Sequence, residues 1–508
     1  DRVDAGNGRH HYAGRFSGRC DGHARRPHCS IPAQTRKNDL IAIQNWPAET
    51  GFVLEQIPRI LSQQDRDPDS LTYGCFDRSH WHFKIRDFAS IVLQQSSLTL
   101  ALLHVLPLQG SPYYGNTQVR AWAVAGLRFW AGQQHRDGSF DEYYPFEHGY
   151  IPTSFSLYAV AEACRVLELD DDSVKTACLR AGLYLGHTEE SQALNQESAA
   201  IPGLYATYLL TGDQRIKDAL EKKVSRFCAR QNAEGWFAEY GGADMGYLST
   251  TLDFLAEYWR LSGDERVWDA CAGILDFAQF FIHQDGSAGG QYGSRNTEYF
   301  LLSGLSAMAG RSPVAIAMLE KVRLQMGTPD SAYAAFDDRY LCHNMLHSLL
   351  RAMRNLPEET AERAELPNGV PHQRYFPAAG LLSLGRGGSH LICGLKKGGV
   401  IRLFYEGREI FRDFGYRLRC GRGTTAASNW LSEELHIRQE QDGYAVSGAF
   451  TQVPQQAITP WRHMGLRLAA KVLGRRLIPH LKKRLIFVDR RSATCFERRI
   501  RTGSAGLE

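Results

Sequence analysis

Residues 137–162, DGSFDEYYPFEHGYIPTSFSLYAVAE, align without a gap to residues 234–259, EGWFAEYGGADMGYLSTTLDFLAEYW. Phe140 matches Phe237, Glu142 matches Glu239, Tyr143 matches Tyr240, Gly149 matches Gly246, Tyr150 matches Tyr247 and Thr153 matches Thr250. The opening recurs in HQDGSAGGQYGSRNTEYFLLSG, whose Asp285 lies 51 residues beyond Glu234, and NQESAAIPGLYATYLLTGD near 195 falls between the two long copies. The period is therefore near 50. Each unit reads as an aromatic, Gly-containing loop, an apolar helix such as 154–167 or 250–261, and a second helix such as 267–281. Leu204, Tyr208, Ala219, Leu220, Val224 and Phe227 keep helical spacing, while LTGD and LSGDER put Gly and Asp at the break and the next N-cap. One such pair cannot bury its own apolar faces, so the pairs must stack. The loops DSLTYGCFDRSHWHFK near 75 and DDRYL near 338 raise the count to about six units, enough to close an α/α toroid of helical hairpins.

From about 371 the period becomes strand-like, with runs at 389–395, 400–405, 409–411, 435–440 and 444–450 and an Asp442-Gly443 hairpin signal. Pro357, Pro367 and Pro371 mark the junction. The expected order is an N-terminal arm over 1–48, a catalytic toroid over 49–360, an antiparallel β-sandwich over 361–461 and a basic amphipathic helix and tail over 462–508.

In a chain of 508 residues, 43% hydrophobic and 22% charged composition excludes a largely disordered, collagen-like or many-span membrane protein. A net charge of +4 is too small to imply a nucleic-acid partner. The eleven cysteines are odd in number, scattered and never spaced CxxC, so neither a disulfide framework nor a zinc site is expected. That points to a reducing, cytoplasmic setting, with a periplasmic or secreted one left open if a leader has been removed. No metal or cofactor is expected. The most apolar stretch, 88–112, is interrupted by Gln94, Gln95, Ser96, Ser97 and His104, and reads as a buried helix rather than a membrane span.

A toroid followed by a sandwich, with DGS and EGW loops ending in a Gly-Tyr pair, resembles the heparinase II/III-like family of polysaccharide lyases over roughly residues 55 to 460. The resemblance implies β-elimination on a uronic-acid-containing glycan, and hence an acidic polysaccharide or oligosaccharide as partner. It implies catalytic roles for Asn195, in Asn195-Gln196-Glu197, and for Tyr247. The family's toroid His has no counterpart in that triplet, and GTTAASNW at 423–430 holds none in place of the sheet-domain His.

Removing the C5 proton of a uronate requires its carboxylate to be neutralised and a base nearby, while the C4 oxygen leaves with help from an acid. Tyr150 and Tyr247 follow Gly at the same repeat position, and His148 stands beside Tyr150. A packing role for either tyrosine, and N-capping by Asn195 and Glu197, are the structural alternatives. Arg295 and Glu298 in YGSRNTEY suit a sugar carboxylate and hydroxyls, or a loop-bracing ion pair. Arg78, His80 and Trp81 in YGCFDRSHWHFK supply cations and a stacking face for binding.

Two other classes use similar parts. An α/α-toroid glycoside hydrolase would draw its acid and base from Glu147, Glu197, Asp244 and Glu298. A catalytically silent glycan-binding protein needs neither. The openings at Gln133 and Gln231 also resemble triterpene cyclase repeat loops, although Asp170, Asp171 and Asp172 sit at a helix break where capping explains them. From 462 to 501 there are thirteen Lys or Arg against two acids, with Leu466, Ala470, Leu473, Leu477 and Leu481 at helical spacing. Such a segment suits peripheral contact with an anionic membrane surface, or packing on the sheet domain.

Overall fold

The computed structural model describes residues 46–329, 331–419, 425–453, 457–485, 490–503 and 506–507. Most of the expected 1–48 arm lies outside these, as do residues 423 and 424 of the GTTAASNW stretch. Among the described residues six inner helices form a closed ring, each contacting the next: Ser96–Val105, Tyr150–Val166, Leu194–Thr211, Met245–Ser262, Leu302–Met308 and Leu346–Asn355, which returns to the first. Their residues are buried nearly all round, as the continuous apolar and small-residue composition of these segments demands.

Outside them lie Thr117–Gly132, Asp172–His187, Gln214–Cys228, Glu265–Ala278 and Pro313–Arg323, each following its inner helix in sequence. The sixth outer place is taken from the other end of the chain. Helix Pro47–Gln63 packs on Leu346–Asn355, and Arg323 reaches Glu49 at 2.6 Å to close the outer ring. The toroid thus has six hairpins, the last assembled from the two chain ends of the helical region.

The repeated loop owes its glycine to close packing. Gly74, Gly138, Gly235 and Gly286 all have φ between +86° and +94° or, for Gly235, +98°. An added Cβ would lie 2.2 Å from the Ala125 oxygen, 2.3 Å from Arg180, 2.1 Å from Gly273 and 2.3 Å from Lys321. Each of those carbonyls belongs to the outer helix of the same unit, so only glycine lets the loop tuck beneath it. A glutamine clamps the same loop: Gln134 and Gln231 bond the carbonyls of Gly138 and Gly235, and also the outer-helix carbonyls of Ala177 and Ala270. The structural counterpart of Gln231 is thus Gln134 rather than Gln133, which opens the loop pattern in the sequence. Asp171 caps Asp172–His187 through Ser173 and Val174, as its place at a helix break suggests.

The inner ring's C-terminal end holds a buried ion network. Arg354 bridges Glu162 at 3.1 Å and Glu257 at 2.9 Å, Arg165 and Arg260 pair with those same carboxylates, and Arg351 bonds Asp253. Cations gathered where helix C-termini converge complement the helix dipoles. Against burial that pushes it up, Arg260, Arg354 and Arg351 hold the Glu257 carboxyl well below the usual range.

Beyond the toroid, β1 (His372–Phe376), β2 (Leu381–Arg386), β3 (Ser389–Gly394), β4 (Val400–Tyr405) and β5 (Arg408–Asp413) form an antiparallel meander. A second sheet has the order β11-β10-β9-β7-β6, with β8 also on β9; these are β6 (Arg417–Arg419), β7 (Thr425–Ala427), β8 (His436–Glu440), β9 (Gly443–Val453), β10 (Arg491–Gly503) and β11 (Gly506–Leu507). Leu382, Leu391, Cys393 and Ile401 of the first sheet share one core with Val446, Phe450, Phe496 and Ile500 of the second, which makes a sandwich. Strand β10 comes from the basic tail. The tail is therefore not helical throughout: helices Pro460–Leu473 and Leu477–Leu485 form an excursion between two paired strands.

The first sheet seats on the toroid through Phe376 against Phe277, Phe280 and Phe281, and through Arg402, which reaches the Gly289 oxygen at 2.8 Å. The 88–112 stretch contains inner helix Ser96–Val105, and among the described residues no helix is long and apolar enough to cross a membrane.

Candidate active site

The inner helices point their N-termini at one mouth of the toroid, and there a cleft of about 470 Å³ opens. Helix dipoles make such a mouth favourable for anionic groups. Tyr247 lies in the first turn of Met245–Ser262, Asn195 and Gln196 in the first turn of Leu194–Thr211, and Ile151 and Phe155 in Tyr150–Val166; all line the cleft. Arg295 and Tyr299 come from the following Gly-rich loop, and Glu142 and Glu147 from the loop before Tyr150.

Asp244 ties two of these walls together. It caps Met245–Ser262 through the Tyr247 amide, and its second oxygen accepts the Arg295 amide at 2.9 Å. The Arg295 guanidinium then lies 4.7 Å from the centre of the Tyr240 ring, beside the cleft. Asn195 does not cap its helix; its amide N–H donates to Glu239 at 2.6 Å, and its side chain faces the cleft. Asn195 Oδ1 and Gln196 Oε1 are buried without a hydrogen-bond partner. Unpaired acceptors of this kind are costly unless a ligand brings donors to them.

A fourth wall comes from a segment that carries no Gly-rich loop in the sequence. It is the segment DDRYLCHN, 337–344, whose Arg339, Tyr340, His343 and Asn344 all line the cleft. The run Leu341–Met345 is a π-helical turn, a widening that often marks functional positions. Burial pulls the His343 imidazole down to about 4, so it is neutral at pH 7. Burial pushes the Tyr247 phenol well up, with Tyr340 and Asp244 adding to the rise and Arg295 opposing it, so Tyr247 carries its proton. Arg339 pairs with Glu142, and burial, then the charge of Glu142, raises Glu147 to about 8.

The remaining expected site residues lie elsewhere. His148 donates from Nδ1 to the Asp137 carboxylate at 2.9 Å, has the Ser139 hydroxyl at the same distance, and stacks on His135. Tyr150 is buried beneath the cleft wall, bonded at 3.2 Å to Lys223, which pairs with Glu197 at 2.5 Å. Glu298 meets Arg412 of the sheet domain at 3.2 Å. Trp81 donates to the Gln63 carbonyl, His80 bonds the Arg86 carbonyl, and Arg78 lies over Phe83. Of the carboxylates considered for hydrolysis, only Glu147 lines the cleft, whereas Asp244 is a helix cap. Among the described residues no cluster of metal-ligating side chains occurs.

Glu147 makes a pH prediction. Its folded pKa lies above its unfolded one, so its contribution to stability is complete below about pH 4.5 and is lost as pH rises through about 8. Glu147→Gln keeps an acceptor for the amides of Glu142 and Tyr143 but cannot ionise. Thermal unfolding at pH 5 and pH 8 should therefore show the variant gaining on the parent at the higher pH. A constant difference would mean that Glu147 does not titrate in that window.

No family model matches the chain, and no curated protein matches it in sequence. Its fold is that of toroid-plus-sheet proteins. A Paenibacillus xanthan lyase superposes with a TM-score of 0.51 at 13% identity, covering 82% of this chain and 48% of that one. The chondroitin AC lyase of Streptomyces coelicolor A3, solved with chondroitin sulphate, gives 0.50 at 15% identity over 83% of this chain and 70% of that one. The chain thus spans about half the length of the xanthan lyase, and at these identities the likeness concerns the fold.

Proposed function

We infer that this protein is a polysaccharide lyase that cleaves a uronic-acid-containing glycan by β-elimination, of the heparinase II/III-like kind. The observation that carries the reading is the meeting of Tyr247, Asn195, Arg295 and His343, from four separate repeat units, at one cleft facing helix N-termini. Arg295 and Asn195 hold the uronate carboxylate, which acidifies C5. Neutral His343 takes the C5 proton, the C4–O bond breaks as the C4=C5 double bond forms, and the Tyr247 phenol protonates the departing oxygen. Proton return from the imidazolium to the phenolate resets the pair. A bound anion beside His343 draws its depressed pKa upward, toward the range where it accepts a proton well.

The pair Glu142 and Glu147 favours a second reading, hydrolysis, with protonated Glu147 as acid and Arg339-paired Glu142 as base. Incubation with a panel of uronate and neutral glycans, followed by mass spectrometry, separates the two. Lyase products lack one water relative to hydrolase products, and unsaturated ends are expected from uronate glycans alone. Saturated ends would transfer the chemistry to the carboxylates, and binding without products would leave a glycan-binding protein.

A further inference from the structure

The excursion between β9 and β10 is a helical hairpin with two different faces. Its inner face is occupied: Ala470 and Leu477 are buried with Tyr144, Leu466 and Leu481 pack beside them, and Leu466, Ile478, Leu481 and Lys482 roof the cleft. Arg467 pairs with Asp87 and Lys482 with Glu190, pinning the hairpin to the toroid rim. The outer face presents Trp461, Met464, Leu468 and Val472, which are 79%, 60%, 67% and 76% exposed. Their spacing is i, i+3, i+7 and i+11, a single stripe on helix Pro460–Leu473. Around the stripe, residues 460–485 hold eight Lys or Arg and no Asp or Glu. Arg462, Lys471, Arg475, Arg476 and Lys483 are exposed.

Apolar and cationic character together select the partner. An acidic polymer would satisfy the cations but leave four large apolar side chains in water. An apolar protein surface would cover the stripe at the expense of desolvating the cations beside it. A bilayer with anionic headgroups satisfies both, taking the stripe into the acyl boundary and the cations at headgroup level. We propose that the 460–485 hairpin docks this protein on an anionic lipid surface, with Trp461, Met464, Leu468 and Val472 inserted and the helix lying in the plane of the interface. Because the same hairpin roofs the cleft, docking sets the toroid mouth against the membrane. The proposal does not depend on the reaction catalysed, and its test needs no substrate.

The full chain is mixed with phosphatidylcholine vesicles, or with the same vesicles containing phosphatidylglycerol, and sedimented. A severalfold larger bound fraction on the phosphatidylglycerol vesicles is expected, falling as salt is added. The double variant Leu468→Ser/Val472→Ser, altered only at exposed positions, should keep the parental circular dichroism and lose the binding. As a measurement needing no packing change, the difference between parent and Trp461→Phe emission should shift to the blue on binding. Equal sedimentation with both vesicles, or an undiminished double variant, overturns the proposal. So does a concentration-dependent dimer abolished by the double variant without vesicle binding, which would assign the stripe to a second copy of the chain.

Discussion

Tyr247→Phe should reduce formation of the unsaturated, ultraviolet-absorbing sugar end by roughly a hundred- to ten-thousand-fold, the usual contribution of a positioned acid or base. The substitution removes one oxygen from a side chain at the cleft and leaves the ring in place. The backbone amide of Tyr247, which Asp244 holds, is untouched. Substrate affinity and thermal unfolding should therefore stay near parental values while turnover falls, the signature of an interaction made in the transition state. A parental rate in the Phe variant would make Tyr247 a packing residue. Saturated ends from the parent would instead remove the elimination mechanism, whatever the variant does.

The largest loss of stability is expected from Arg351→Met. The arginine is fully buried, bonds Asp253, lies 3.9 Å from Glu257 and sits 5.1 Å from the centre of the Tyr158 ring. Met fills much of the same space, so the substitution tests charge more than volume. It leaves Asp253 buried without its cation, and breaking a buried pair from one side costs about 3–5 kcal/mol. Denaturant unfolding followed by far-ultraviolet circular dichroism would register this as a lower midpoint. Adding Asp253→Asn should recover part of the loss, because burial already pushes the Asp253 carboxyl toward its neutral form, with Arg351 and Ser348 opposing it. Equal midpoints for parent and Arg351→Met would show that the network contributes nothing.

The toroid was legible because its loop chemistry repeats. A glycine that must meet a carbonyl and an aromatic that follows it leave the same letters at each copy, as at 137–150 and 234–247. The sandwich is legible through its runs of β-formers at 400–405 and 444–450, whereas β1, β2, β6, β7 and the tail strand β10 lie outside every such run. Arg491–Gly503 is so rich in arginine that it does not alternate as a half-buried strand, and its partner β9 lies far earlier in the chain.

The site was partly legible. Tyr247, Asn195 and Arg295 belong to the recognisable loops, and they reach one cleft. His343 and Arg339 do not, since DDRYLCHN lacks the glycine that marks the other loops and its π-helical turn has no compositional signature. His148 and Tyr150 hold the same repeat register that helped single out Tyr247, yet their copy is filled from below by Lys223 and Glu197 and from the side by Asp137. Register shows which positions are equivalent in backbone. It does not show which copy is left open by its neighbours.

The last hairpin of the ring takes its outer helix, Pro47–Gln63, from the start of the helical region and its inner helix, Leu346–Asn355, from the end. During synthesis the first of these leaves the ribosome with its apolar face uncovered, and it stays so until some three hundred residues later its mate arrives. The ring behaves as a bracelet whose clasp is made last. A circular permutant opened at another inter-unit loop, with Pro47–Gln63 joined after Leu346–Asn355, would turn that clasp into a local contact and exchange the longest wait in assembly for the shortest.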